Sequence, residues 1–176
     1  MIRDLLEYTR TQLGKGIPVH TQLCSIEEIC RDALDEVRAA HPQRQFELAI
    51  REDSQWRVDP ARLRQALSNL LNNAVQHGDP AAPVSLSAGV EGGAQLAIRV
   101  KNRGEPIAAE SLQVIFDPLV QLSKKSASSS DRTSTSLGLG LFIAREVATG
   151  HHGTLDVSSD AANGTEFVLR IPRREQ

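Results

Sequence analysis

Apolar residues along the chain recur first at spacings of three and four, then of two, and the changes of period divide it into elements. Ile2, Leu5, Leu6 and Thr9 share one helical stripe over about residues 1–13, and Gly14-Lys15-Gly16 should stop that helix. A second helix is predicted from a Ser25 cap, with Glu28 three residues on, to about Ala40, because Ile26, Ile29, Ala33, Leu34 and Val37 align; His41-Pro42 ends it. Phe46, Leu48 and Ile50 alternate with polar or small neighbours, the period of a half-buried strand. Asp59 as cap and Pro60 at the first position open a third helix that runs to Gly78.

Alternating segments around 84–90 and 96–100 flank Gly92-Gly93 and predict a hairpin. A short helical stretch near 110–115 and a helix over about 139–149 precede two more strand patterns, 154–158 and 166–171, with Asn163-Gly164 as the turn between them. This order predicts an α+β fold: a two-layer sandwich with a mixed, mostly antiparallel sheet of about five strands and three main helices on one face.

The length of 176 residues suits one domain with a genuine core plus a short appendage. Lys and Arg number 20 against 22 Asp and Glu, so no overall charge draws the chain to nucleic acid or an anionic membrane. Aromatic residues make up 3%, too few for base-stacking platforms on single strands. Cys24 and Cys30 match no metal-ligand spacing and read as reduced thiols of a cytoplasmic protein. Neither a membrane span nor a signal peptide is legible, so any anchor of a parent protein is expected outside this chain.

Candidate chemistry begins on the third helix. Leu63, Leu67, Leu70, Leu71 and Ala74 form its buried stripe, while Gln65, Asn69, Asn72, Asn73 and Gln76 give another side that is almost all carboxamide. Asn disfavours helix interiors, so the cluster departs from what stability alone selects. Carboxamide oxygens can ligate a hard cation such as Mg²⁺ without adding negative charge beside a phosphate chain. A plain solvated face is the alternative reading of the same residues.

Gly138 and Gly140 stand at the start of the helix after 139, where bare backbone N–H groups favour phosphate. The pattern is neither a dinucleotide fingerprint, since Ile143 occupies the third glycine position, nor a P-loop. Residues 123–136 contain nine Ser or Thr, with Lys124, Lys125 and Arg132 among them, a composition that cannot build a core. Val100 to Ile107 ends a strand in a turn that turn chemistry alone can explain.

Taken in order, these segments resemble the ATPase domain of sensor histidine kinases, in the Bergerat-type fold shared with gyrase, heat-shock chaperone and mismatch-repair ATPases. Asn69 and Asn73 match the N box, closed by Gln76 and His77; Asn102 and Gly104 match the first glycine box, whose segment ends at Ile107. Phe116-Asp117-Pro118 matches the phenylalanine box, Gly138-Leu139-Gly140-Leu141 the second glycine box, and Gly164-Thr165 the last. The resemblance implies ATP and Mg²⁺ as cofactors, with Asn73 on the metal, Thr165 near adenine, and Asn69, Lys124 and Arg132 as catalytic candidates.

Two positions depart from the family pattern: Asn102 stands where Asp is usual and Pro106 where Gly is usual. A neutral carboxamide still accepts a hydrogen bond, more weakly than a carboxylate, so nucleotide binding is expected to persist at lower affinity. Gyrase-type relatives carry a Glu where this chain has Asn69, and a carboxamide is no general base. The resemblance therefore implies phosphoryl transfer to a protein rather than hydrolysis.

No His here is followed by an acidic residue: His20, His41, His77, His151 and His152 precede Thr, Pro, Gly, His and Gly. Residues 1–14 are accordingly expected to be the end of a dimerisation and phosphoacceptor helix, and 15–176 the catalytic domain with a lid at about 117–137. The implied function is transfer of the ATP γ-phosphoryl group to a His on a missing hairpin, in bacterial two-component signalling, by a fragment that cannot phosphorylate itself. An anti-sigma-type serine kinase and a non-catalytic ATP-sensing domain are the alternatives. Expected partners are that hairpin and a response regulator, with no nucleic acid or membrane contact, in a monomer or weak dimer.

Overall fold

The computed structural model describes residues 2–14, 16–51, 55–120 and 138–173. Five strands form the main sheet in the order β2 (Phe46–Ile50), β4 (Val84–Glu91), β5 (Gln95–Asn102), β7 (Gly164–Pro172) and β6 (Thr154–Asp160). Only β2 pairs in parallel, with β4; the other neighbours are antiparallel, as two hairpins would give. The Gly92-Gly93 turn expected between β4 and β5 is present, with both glycines at positive φ.

Helices α2 (Ile26–Ala40), α3 (Pro60–His77) and α5 (Gly140–Gly150) bury their apolar stripes against this sheet. Both expected caps form: the Ser25 hydroxyl accepts from Glu28 N at 3.2 Å, and the Asp59 carboxylate accepts from Arg62 N at 3.0 Å. Leu63, Leu67, Leu70 and Leu71 of α3 lose all solvent contact beside Leu86, Ile98 and Phe167 of the sheet, so α3 lies at the centre of the core. Cys30 is buried there too, and burial, aided by the Glu27 charge, pushes its thiol up to about 12. Both cysteines are free, as expected.

Two strands had no counterpart in the sequence pattern. β1 (Gln22–Ser25) and β3 (Gln55–Val58) pair antiparallel in a small second sheet. At four residues each they are too short for alternation to be distinguished from a capped helix start or a loop. α4 (Ala109–Val114) is likewise a single short turn and a half.

The first helix, α1 (Ile2–Gln12), packs differently from what its apolar stripe suggests. Ile2, Leu5 and Leu6 are exposed, whereas Glu7 is buried, pairing with Arg62 and accepting from Gln65 Nε2 at 2.8 Å. Tyr8 meets Phe142 of α5 edge to face, with ring centroids 5.7 Å apart. No helix among the described residues is long and apolar enough to cross a membrane.

The far ends of α3 and α5 are joined through His151. Its Nε2 accepts from Asp59 N at 2.9 Å and its Nδ1 lies 2.8 Å from the Val147 carbonyl oxygen, so only the neutral Nδ1–H tautomer satisfies both partners. Burial, followed by His152 nearby, lowers its pKa against the opposing pull of the Val147 contact and the Asp59 charge. A lowered folded value means stability is intact above the unfolded value of 6.5 and is lost as pH falls below it. Asp59 itself is opposed by burial but is held below 3.8 by the backbone N–H groups of His20 and Arg62 and by cationic neighbours, so its loss belongs to a separate, more acidic window. Melting temperatures are expected to fall as the pH drops below 6.5, and a His151→Gln variant, which keeps an acceptor without a titrating ring, should be flatter there.

Candidate functional site

Three strands of the main sheet carry apolar rows toward the helices, and all three rows end at the same edge in a polar residue. Along β5 and β7 the opposed pairs are Leu96 with Ile171, Ile98 with Leu169, Val100 with Phe167, and finally Asn102 with Thr165. On β6, Leu155 and Val157 oppose Leu169 and Phe167, and Ser159 opposes Thr165. Directly opposed residues share a face, so Asn102, Thr165 and Ser159 form one polar rung where the pattern would otherwise continue the core.

Asn102 is 4% exposed and Thr165 5%. Polar groups buried to that degree are ordinarily paired. The hydroxyls of Ser159 and Thr165 lie 2.7 Å apart, and Ser159 Oγ also accepts from Ile107 N at 2.9 Å, which ties the 103–107 turn to the sheet. Among the described residues the Asn102 side chain has only a long contact, Nδ2 to the Arg103 carbonyl oxygen at 3.4 Å. Gly164 makes the close approach possible: at φ +80° it sits where a Cβ would lie 2.3 Å from the Asn102 carbonyl oxygen. The Asp160 carboxylate accepts from the backbone N–H groups of Ala162 and Asn163 at 2.8 and 2.7 Å and fixes that turn.

The rung is covered by the C-terminal end of α3. A Cβ on Gly104 would lie 2.8 Å from the His77 carbonyl oxygen, and Asp79 N donates to the Arg103 carbonyl oxygen at 2.6 Å. Gln76 and His77 therefore stand beside the turn that follows Asn102, as their positions in the sequence suggest.

The five carboxamides of α3 divide. Gln65 is taken by Glu7, and Asn72 Oδ1 lies 3.1 Å from His41 Nε2 at the end of α2, so these two serve helix packing. Asn69 Nδ2 donates to the Gly140 carbonyl oxygen at 3.2 Å and fastens the middle of α3 to the start of α5. Asn73, one turn further, is half-buried and has no side-chain hydrogen bond to another described residue. The expectation of one continuous ligand face is thus interrupted, because neighbouring helices claim Gln65 and Asn72.

The start of α5 is bare. Leu139 is its N-cap and supplies no side-chain bond, in contrast to Ser25 and Asp59 on α2 and α3. The first N–H groups of a helix have no partner within it, and no hydrogen bond among the described residues occupies those at Gly140 and Leu141. Gly138, at φ +67°, lies against the Val120 carbonyl oxygen and lets the chain pass close to the Leu119-Val120 backbone.

Phe116 stands behind this region, edge to face with Phe167 at 6.1 Å. Arg145 of α5 places its guanidinium over both Phe116 and Phe142, at 5.7 and 6.0 Å. Sequence reasoning passed over Arg145 and Ser159. Alternation along β6 carried the signal for Ser159, but its row reads as strand surface until the register with Thr165 is known. Lys124 and Arg132 lie outside the described residues. Among the described residues there is no group of three or more His, Cys, Asp or Glu that could hold a metal.

Residues 58–175 match the family model described as histidine kinase-, DNA gyrase B-, and HSP90-like ATPase. The chain is similar to a bacteriophytochrome of Pseudomonas aeruginosa, 29% identical over 175 residues that span 99% of this chain and 23% of that protein. It is also similar to the sensor protein SrrB of Staphylococcus aureus, 26% identical over 181 residues that span 99% of this chain and 29% of that one. The chain therefore spans about a quarter of the length of these curated relatives. Full-length ShkA, solved in complex with AMPPNP, superposes with a TM-score of 0.81 at 25% identity, over 99% of this chain and 35% of that one. The Acinetobacter baumannii histidine kinase AdeS superposes with a TM-score of 0.76 at 18% identity, over 99% of this chain and 77% of that one, a likeness of fold.

Proposed function

The chain belongs to the histidine kinase-, DNA gyrase B- and HSP90-like ATPase family, and from that membership we propose that it binds Mg·ATP and transfers the γ-phosphoryl group to a His on a separate helical hairpin. The observation that carries the reading is the buried polar rung of Asn102, Thr165 and Ser159, set beneath the end of α3 while Asn69 of the same helix touches the bare start of α5. One helix thereby spans the polar rung and the start of α5.

In this reading the purine base lies against Asn102 and Thr165, and the phosphates run toward the N–H groups at Gly140 and Leu141. Asn73 would hold the metal, and a divalent ion there would supply positive charge to offset that of the phosphates. Asn69 has given its Nδ2 to Gly140, which leaves Oδ1 to face the phosphate region as an acceptor. Neither atom is a base, which favours a protein acceptor over activated water. Lys124 and Arg132 are proposed to add positive charge near the γ-phosphate.

Residues 1–14 are proposed to be the end of the dimerisation helix and 15–176 the catalytic domain, with the lid at about 117–137. A response regulator is the proposed downstream partner, the cytoplasm the proposed location, and a monomer or weak dimer the proposed state of this chain. The test mixes the chain with a separately made phosphoacceptor hairpin from a sensor kinase and γ-labelled ATP. Acid-labile label on the hairpin His is expected. Label on a partner's Ser would indicate a serine kinase, binding without any transfer would indicate an ATP sensor, and label on the chain alone would refute the missing-acceptor reading.

A further inference from the structure

The groups on the polar rung can each present either a proton or a lone pair, and their two combined states complement two different base edges. Asn102 exchanges Oδ1 for Nδ2 by a half-turn of its carboxamide. The 3.4 Å contact to the Arg103 carbonyl oxygen is at the long limit of a hydrogen bond, so it holds that turn only weakly. Thr165 and Ser159 face each other at 2.7 Å, where either hydroxyl can be the donor. Ile107 N occupies one lone pair of Ser159 in both cases.

If Ser159 donates to Thr165, the Thr165 proton is free to point at the base. Together with Asn102 Oδ1 it offers one donor and one acceptor, the complement of the N1 and 6-amino edge of adenine. If Thr165 donates to Ser159, a Thr165 lone pair faces the base and the proton of half-buried Ser159 turns to solvent. With Asn102 Nδ2 turned inward, the pair then complements the N1–H and 6-oxo edge of guanine or hypoxanthine. The hydroxyl pair is satisfied in both states, and the half-turn of Asn102 gives up only the long 3.4 Å Nδ2 contact to the Arg103 carbonyl oxygen, whereas a carboxylate at position 102 would set an acceptor against the 6-oxo oxygen in either orientation.

We propose that Asn102, with the Thr165–Ser159 hydroxyl pair, is a specificity-determining set that admits 6-oxopurine nucleoside triphosphates alongside ATP. The inference rests on the reading above that the base lies against Asn102 and Thr165. It widens the phosphoryl donor class rather than changing the reaction.

The test is calorimetric titration of the whole chain with ATP, inosine triphosphate and inorganic tripolyphosphate in the presence of Mg²⁺, repeated on Asn102→Asp. Inosine triphosphate carries the 6-oxo and N1–H pattern without the 2-amino group of guanine. It is expected to bind within tenfold of ATP, with tripolyphosphate weaker than both, and the Asp variant should widen the ATP preference at least tenfold by strengthening ATP and weakening inosine triphosphate. A gap larger than tenfold in the unaltered chain, or an unchanged ratio in Asn102→Asp, overturns the proposal. So does tripolyphosphate binding as tightly as inosine triphosphate, since the phosphates alone would then carry the affinity. Failure of ATP to bind to either protein sinks the underlying nucleotide reading instead, and the dual specificity falls with it.

Discussion

Replacing Asn73 by Ala is expected to lower metal-dependent nucleotide affinity at least a hundredfold, about 2.7 kcal/mol, while the unliganded protein melts at the same temperature or slightly higher. The two halves of this prediction have separate physical causes. Asn73 has no side-chain hydrogen bond to another described residue, so truncation orphans no partner. Ala is also the better helix former, by up to about 0.7 kcal/mol. Affinity falls because the carboxamide oxygen is the proposed metal ligand. Melting curves of both proteins, with and without nucleotide and Mg²⁺, measure both effects, since a ligand raises the melting temperature only if it binds. An undiminished Mg²⁺-dependent shift in the variant would remove Asn73 from the site.

Gly164→Ala is expected to do the reverse and damage fold and site together. The left-handed backbone at φ +80° costs an L-residue about 1–2 kcal/mol. The new methyl would also lie 2.3 Å from the Asn102 carbonyl oxygen, a backbone atom that cannot rotate away. A total loss of about 3 kcal/mol is expected, or roughly 6–12 °C in melting temperature for a chain of this size. Relief of the clash would push β5 and β7 apart at Asn102 and Thr165, so nucleotide affinity should fall even at temperatures where the variant is folded. Thermal denaturation combined with titration at low temperature tests both consequences. A variant that melts like the parent would mean the turn has room that its geometry does not suggest.

The main sheet and its three covering helices were legible because each element is long enough to show its period and is bounded by chemistry with one meaning. Ser25, Asp59-Pro60, Gly92-Gly93 and Asn163-Gly164 are such boundaries. β1 and β3 were not legible, since four residues show no period and their pairing spans a sequence gap that nothing local announces. Within the site, Asn102 and Thr165 were picked out only by the family resemblance, whereas Asn69 stood out as a residue type unsuited to a helix interior. The division of the α3 carboxamides did not, because it depends on which neighbouring helix approaches: Glu7 takes Gln65, and His41 takes Asn72. Ser159 acquires its role only through a strand register.

The aromatic contacts give the protein a usable optical label. Tyr8 is the only tyrosine and Trp56 the only tryptophan in the sequence. Tyr8 rests on Phe142, which shares the Arg145 guanidinium with Phe116, so its phenol emission samples the seam between α1 and α5. Trp56 is buried under the Arg173 guanidinium at 4.6 Å in the small sheet and samples a different part of the molecule. Nucleotide addition that alters the first signal and leaves the second unchanged would locate a rearrangement at the seam without any attached dye.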